Sequence, residues 1–106
     1  MSQKLEQKSN NVLAHFYRKE EFRVPGNRVT VDEEGVARLL FCGFPIARLD
    51  ESSLFVGTSG VNTEGVVRKL NELKGVAVLL HDGKLLLQGK GWDGNWKRVS
   101  TKNELL

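Results

Sequence analysis

A chain of 106 residues, 40% hydrophobic and 27% charged, has the size and balance of one folded domain, which excludes a disordered, fibrous or multi-domain reading. No apolar run approaches the roughly 18 residues that a bilayer crossing needs, and the polar start MSQKLEQKSNN lacks a secretory apolar region. Cys42 is the single cysteine, so an internal disulfide and a cysteine-rich metal site are excluded, and a reducing cytoplasm is the expected compartment.

The formal charge of +3 is unevenly spread along the chain. Residues 1–28 carry six Lys/Arg against three Glu, residues 29–62 two against five acidic residues, and residues 63–106 eight against five. Basic ends around an acidic middle favour an acidic partner, although scattered surface cations also serve solubility alone.

Residues 1–9 are polar and expected to be a flexible terminus, with residues 10–106 forming a single α+β domain. Val12, Leu13, Phe16 and Tyr17 keep helical spacing, Ser9 or Asn10 can cap them, and Pro25-Gly26 closes the segment. This predicts an N-terminal helix over about residues 10–21. Val29 and Val31 then alternate with Arg28, Thr30 and Asp32, the turn Asp32-Glu33-Glu34-Gly35 follows, and GVARLLF returns as a second strand. Cys42-Gly43 turns the chain into FPIARL, and Asp50-Glu51-Ser52-Ser53 separates that strand from LFVG. Four short strands in an antiparallel meander are expected, with Pro45 at a strand start or an edge because it cannot donate to the ladder.

The stretch SGVNTEGVVRKLNELKG predicts a central amphipathic helix. Asn62 or Thr63 is a suitable N-cap, Glu64 stands in the first turn, Val66, Val67, Leu70 and Leu73 form one stripe, and Gly75 supplies the stop. Gly65 weakens that first turn and suits a close approach to a sheet. VAVLL and KLLLQG around Asp82-Gly83 predict a C-terminal hairpin whose continuous hydrophobicity implies cover on both faces, with WKRVS as a last, third strand.

The chemistry-bearing residues form no catalytic arrangement. His15 and His81 lack an accompanying nucleophile elbow, metal pair or cysteine partner, so both read as incidental. Asp32-Glu33-Glu34 lacks the alternating carboxylates of a calcium loop, and the glycines make no phosphate loop or dinucleotide fingerprint. The expectation is no catalytic residue, no bound metal and no cofactor.

GWDGNW, residues 91–96, is the one stretch that invites a ligand. A two-residue turn at Asp93-Gly94 sends the indoles of Trp92 and Trp96 to opposite faces; a three-residue turn including Asn95 sets them opposite each other on one face. In the second case Trp92 and Trp96, with Lys90, Lys97 and Arg98 beside them, make a contact surface for single-stranded nucleic acid or a nucleotide. Tryptophans in a small domain bury most of their area, so packing is the first reading and contact the second.

Ile46-Ala47-Arg48, Gly60-Val61-Asn62-Thr63, Lys69-Leu70-Asn71, Leu85-Leu86-Leu87 and Trp92-Asp93-Gly94-Asn95-Trp96 follow one another over about residues 44–99. This order resembles a recurring pattern in small tailed-bacteriophage accessory proteins. Glu64-Gly65-Val66 departs from it where paired threonines and a lysine often open the helix. The resemblance implies a phage protein in the bacterial host cytoplasm, a non-enzymatic binding protein that inhibits or redirects a host bacterial protein. Nucleic-acid binding through the Trp/Lys/Arg surface is the alternative, and a minor virion or assembly component a further one. An unpaired strand edge leaves monomer and homodimer both open.

Overall fold

The structure, a computed structural model, describes residues 12–51 and 53–101. The expected flexible segment 1–9 lies outside the described residues. A first helix, α1, is helical at residues 12–18. Five strands follow: β1 (Phe22–Val24), β2 (Asn27–Val31), β3 (Ala37–Phe41), β4 (Phe44–Leu49) and β5 (Ser53–Val56). The second helix, α2 (Glu64–Asn71), leads to β6 (Val78–His81), β7 (Lys84–Leu87), β8 (Lys90–Trp92) and β9 (Lys97–Thr101).

The α1 helix ends earlier than the expected residue 21, and Pro25-Gly26 is not its stop. Lys19 takes the left-handed conformation at φ 58°. Its N–H donates to the Phe16 carbonyl at 3.1 Å and Glu20 N–H donates to the His15 carbonyl at 2.9 Å. These two bonds form a Schellman closure, made here by a lysine where glycine is usual. Ending there frees Phe22–Val24 to pair with β2, and Pro25-Gly26 becomes the hairpin turn, with Gly26 at φ 81°. The meander therefore has five strands where four were expected.

Six strands form one antiparallel sheet in the order β1-β2-β3-β4-β5-β9, and three form a second in the order β6-β7-β8. The last strand crosses back to the far edge of the meander and pairs with β5, with Phe55 opposite Arg98. One core lies beneath both sheets. Val29, Leu39, Ala47, Leu54 and Val56 point into it from the large sheet, Val66 and Leu70 from α2, Val12 and Phe16 from α1, and Val78, Leu85 and Leu87 from the small sheet. The expectation that the β6–β7 pair is covered on both faces fails: Leu79, on the other face, is 55% exposed. The apolar run reflects leucines on both faces of a half-covered hairpin.

Three polar ties hold the elements in register. Thr63 caps α2 by accepting the Val66 N–H at 3.3 Å. Asn71 closes a reciprocal pair with the Val78 backbone, at 2.7 and 2.8 Å, and fastens the helix to β6. The Tyr17 hydroxyl accepts the Lys74 N–H at 2.9 Å; burial pushes its pKa up, and that hydrogen bond offsets part of the shift. Among the described residues no helix is long and apolar enough to cross a membrane.

Candidate binding surface

Successive side chains of a strand face opposite sides, and directly opposed residues of paired strands share a face. Val29, Leu39, Ala47 and Val56 face the core, so the alternate positions make the outer face. The registers set Thr30 opposite Arg38, Arg38 opposite Arg48, Arg48 opposite Phe55 and Phe55 opposite Arg98, a continuous row across five strands. A parallel row places Arg23 opposite Arg28 and Arg28 opposite Leu40. Five of the chain's seven arginines thus share one sheet face.

Trp96 joins that row. Its ring lies against Gly57, where an added Cβ would meet Cδ2 and Cε3 at 3.3 Å, and the residue is 41% exposed. The Arg48 guanidinium carbon stands 4.4 Å from the Phe55 ring centroid and 5.3 Å from that of Trp96. Both are within cation–π range, so Arg48 contacts the two rings at once. Trp96 keeps an exposed surface on this row. Arg38 donates to Asp32 Oδ2 at 2.8 Å. That bond, with backbone N–H groups of Val36 and Glu34, holds the Asp32 carboxyl below its ordinary pKa.

The GWDGNW stretch is not a hairpin turn of either kind. Trp92 ends β8 in the small sheet and Trp96 precedes β9 in the large one, so residues 93–96 are a crossover between sheets. Asp93 organises it: Oδ1 accepts the Asn95 N–H and Oδ2 accepts the Asn95 side-chain amide, both at 2.9 Å. Trp92 Nε1 then donates to the Asn95 carbonyl at 2.9 Å. Gly94, at φ 86°, is buried against Thr58, whose N–H donates to the Gly94 carbonyl at 2.9 Å.

The crossover separates the two tryptophans by role. Trp92 is opposite the buried Leu85 and packs partly buried against the core. Trp96 lies outside, on the arginine row. Both nevertheless border one open cleft of about 770 Å³, with Asp93, Asn95, Lys97 and Arg98. Of the five expected contact residues, four (Trp92, Trp96, Lys97 and Arg98) are brought together there, while Lys90 is exposed at the start of β8 away from the cleft lining.

Sequence reasoning missed Arg48, Phe55 and Arg38. The legible signal is an outward arginine in every strand of the large sheet except β5: Arg23 in β1, Arg28 in β2, Arg38 in β3, Arg48 in β4 and Arg98 in β9. The acidic middle of the chain masks it, because Glu33, Glu34 and Glu51 lie in turns while Arg38 and Arg48 lie on the face.

The remaining reactive types stand apart from one another. His15 Nδ1 is 2.9 Å from Glu20 Oε1 and its ring stacks on Phe22 at 4.2 Å, while His81 is beside Asp82 in an exposed turn. Cys42 is exposed in the β3–β4 turn. Among the described residues no group of three or more His, Cys, Asp or Glu stands where it could hold a metal ion. Comparison with family models, with curated proteins and with solved structures found no match.

Proposed function

We propose that this chain is a non-enzymatic binding protein whose working surface is the outer face of the six-stranded sheet, and that its ligand is single-stranded nucleic acid. The observation that carries the reading is the Arg38–Arg48–Phe55–Arg98 row with Trp96 laid against it. Sequence-tolerant single-strand binding needs cations that track a phosphate backbone and aromatic faces on which bases stack. Trp96 offers the exposed stacking face, Arg98 the adjacent cation on the same face, and Arg48 a guanidinium in contact with two rings. The row spans three strand spacings from Arg38 to Arg98, roughly 14 Å, long enough for more than one nucleotide.

A second reading follows the phage-type resemblance: the same face masks an acidic patch on a host protein in the bacterial cytoplasm. The Arg38–Asp32 pair at 2.8 Å favours it, because it is a carboxylate already seated on this surface. Titration of tryptophan emission with an oligothymidylate separates the two. Saturable quenching at low salt that disappears in Trp96→Ala supports nucleic-acid binding. Unchanged emission, together with a stable complex recovered from bacterial lysate that Arg98→Glu abolishes, supports the host-protein reading instead.

A further inference from the structure

Arg23 and Arg28 stand directly opposite each other on β1 and β2, both exposed. Like charges opposed across a strand pair repel. Among the described residues neither forms an ion pair, and Glu21, two residues before Arg23, is not within salt-bridge distance of either. The pair borders a cleft of about 360 Å³ that Leu40, Cys42 and Gly43 complete. Two cross-strand arginines with no carboxylate paired to either, bordering a concavity on the outer face, fit the anionic, many-acceptor surface of a phosphate group.

We propose that Arg23 and Arg28 form a phosphate-binding subsite, separate from the Trp96 end of the sheet. Arg28 on β2 lies three strand spacings across from Phe55 on β5 and two residues along from its row, roughly 16 Å away. A strand stacked on Trp96 and crossing the outer face therefore delivers a backbone phosphate to this pair, and the subsite lengthens the footprint across the whole sheet. This extension rests on the nucleic-acid reading; the recognition of phosphate by the arginine pair does not. The guanidinium fork makes the contact bidentate, which a lysine at either position cannot reproduce.

The test has two arms on the full chain. In the first, inorganic phosphate is titrated into the labelled protein and amide resonances are followed. Saturable shifts at Arg23, Arg28 and Gly43, lost in Arg23→Ala/Arg28→Ala and weakened in Arg28→Lys, support the subsite. In the second, oligothymidylates of increasing length, from about four nucleotides upward, are bound to wild type and the double variant. The expected result is equal affinity for the shortest oligomers and at least tenfold weaker binding of long ones by the variant. The slope of log affinity against log salt for the long ones is expected to fall by about 2. Phosphate shifts at the pair without any oligonucleotide binding keep the subsite for a free phosphate-bearing molecule and remove the proposed function. Absence of phosphate shifts, or shifts that persist undiminished in the folded double variant, overturns the subsite.

Discussion

The Gly94 carbonyl accepts the Thr58 N–H at 2.9 Å, and a Cβ on Gly94 would lie 2.5 Å from Thr58 Oγ1. This contact decides where Trp92 and Trp96 point, because it pins the crossover to the segment that follows β5. Gly94→Ala combines a left-handed backbone at φ 86° with an overlap against the Thr58 hydroxyl, which would have to shift. It is expected to cost about 1–3 kcal/mol, measured by urea unfolding. An alanine variant as stable as wild type would mean that the crossover is held elsewhere.

The two tryptophans should separate in a stability and binding comparison. Trp92→Ala removes a ring packed on the core and the donor to Asn95, so its midpoint temperature falls clearly. Trp96→Ala removes a ring that is 41% exposed, and its stability changes little. Its oligonucleotide affinity drops by about 1–3 kcal/mol, the usual worth of a base–aromatic stack. The reverse pattern would exchange their roles.

These roles were half legible in the sequence. The hairpins at Cys42-Gly43 and Asp82-Gly83 and the cap at Thr63 are local chemistry, and each stands where turn and capping rules put it. The end of α1 was hidden because Lys19, not glycine, takes the left-handed position. Asp93-Gly94 carries the same dipeptide as the hairpin at Asp82-Gly83, yet it joins two sheets. No local rule distinguishes the two, since the pairing of β9 with β5 is a contact across some forty residues of chain. The arginine face was lost for a related reason: charge summed along the sequence mixes strand faces with turns.

Asp32 gives a pH-dependent readout of that face. Arg38 and neighbouring backbone donors lower its pKa in the folded chain. The folded carboxyl holds its proton less tightly than the unfolded one. The stabilisation is therefore complete above the unfolded value of about 4 and is lost as pH falls through and below it. Asp32→Asn should narrow the gap in midpoint temperature to wild type as the solution is acidified. The same variant releases Arg38, so at neutral pH it should bind oligonucleotide more tightly. An unchanged affinity would separate Arg38 from the surface.

Asn71 tests the join between the helix and the small sheet. Asn71→Ala removes both bonds to Val78 and leaves that strand's first N–H and C=O without their partner. A loss of about 1–3 kcal/mol is expected, read by denaturant unfolding. Asn71→Asp keeps the acceptor for the Val78 N–H and should recover part of it. Amide exchange should show Val78 losing protection before the β2–β3 pair; equal protection throughout would contradict the assignment.

The dependence of single-stranded oligonucleotide affinity on salt, compared between wild type and Arg98→Ala, tests the sheet-face reading most directly. Binding through these arginines predicts a straight fall of log affinity with log salt, and a slope shallower by about 1 when Arg98 is removed. No measurable binding at low salt, or a slope that Arg98→Ala leaves unchanged, would contradict it.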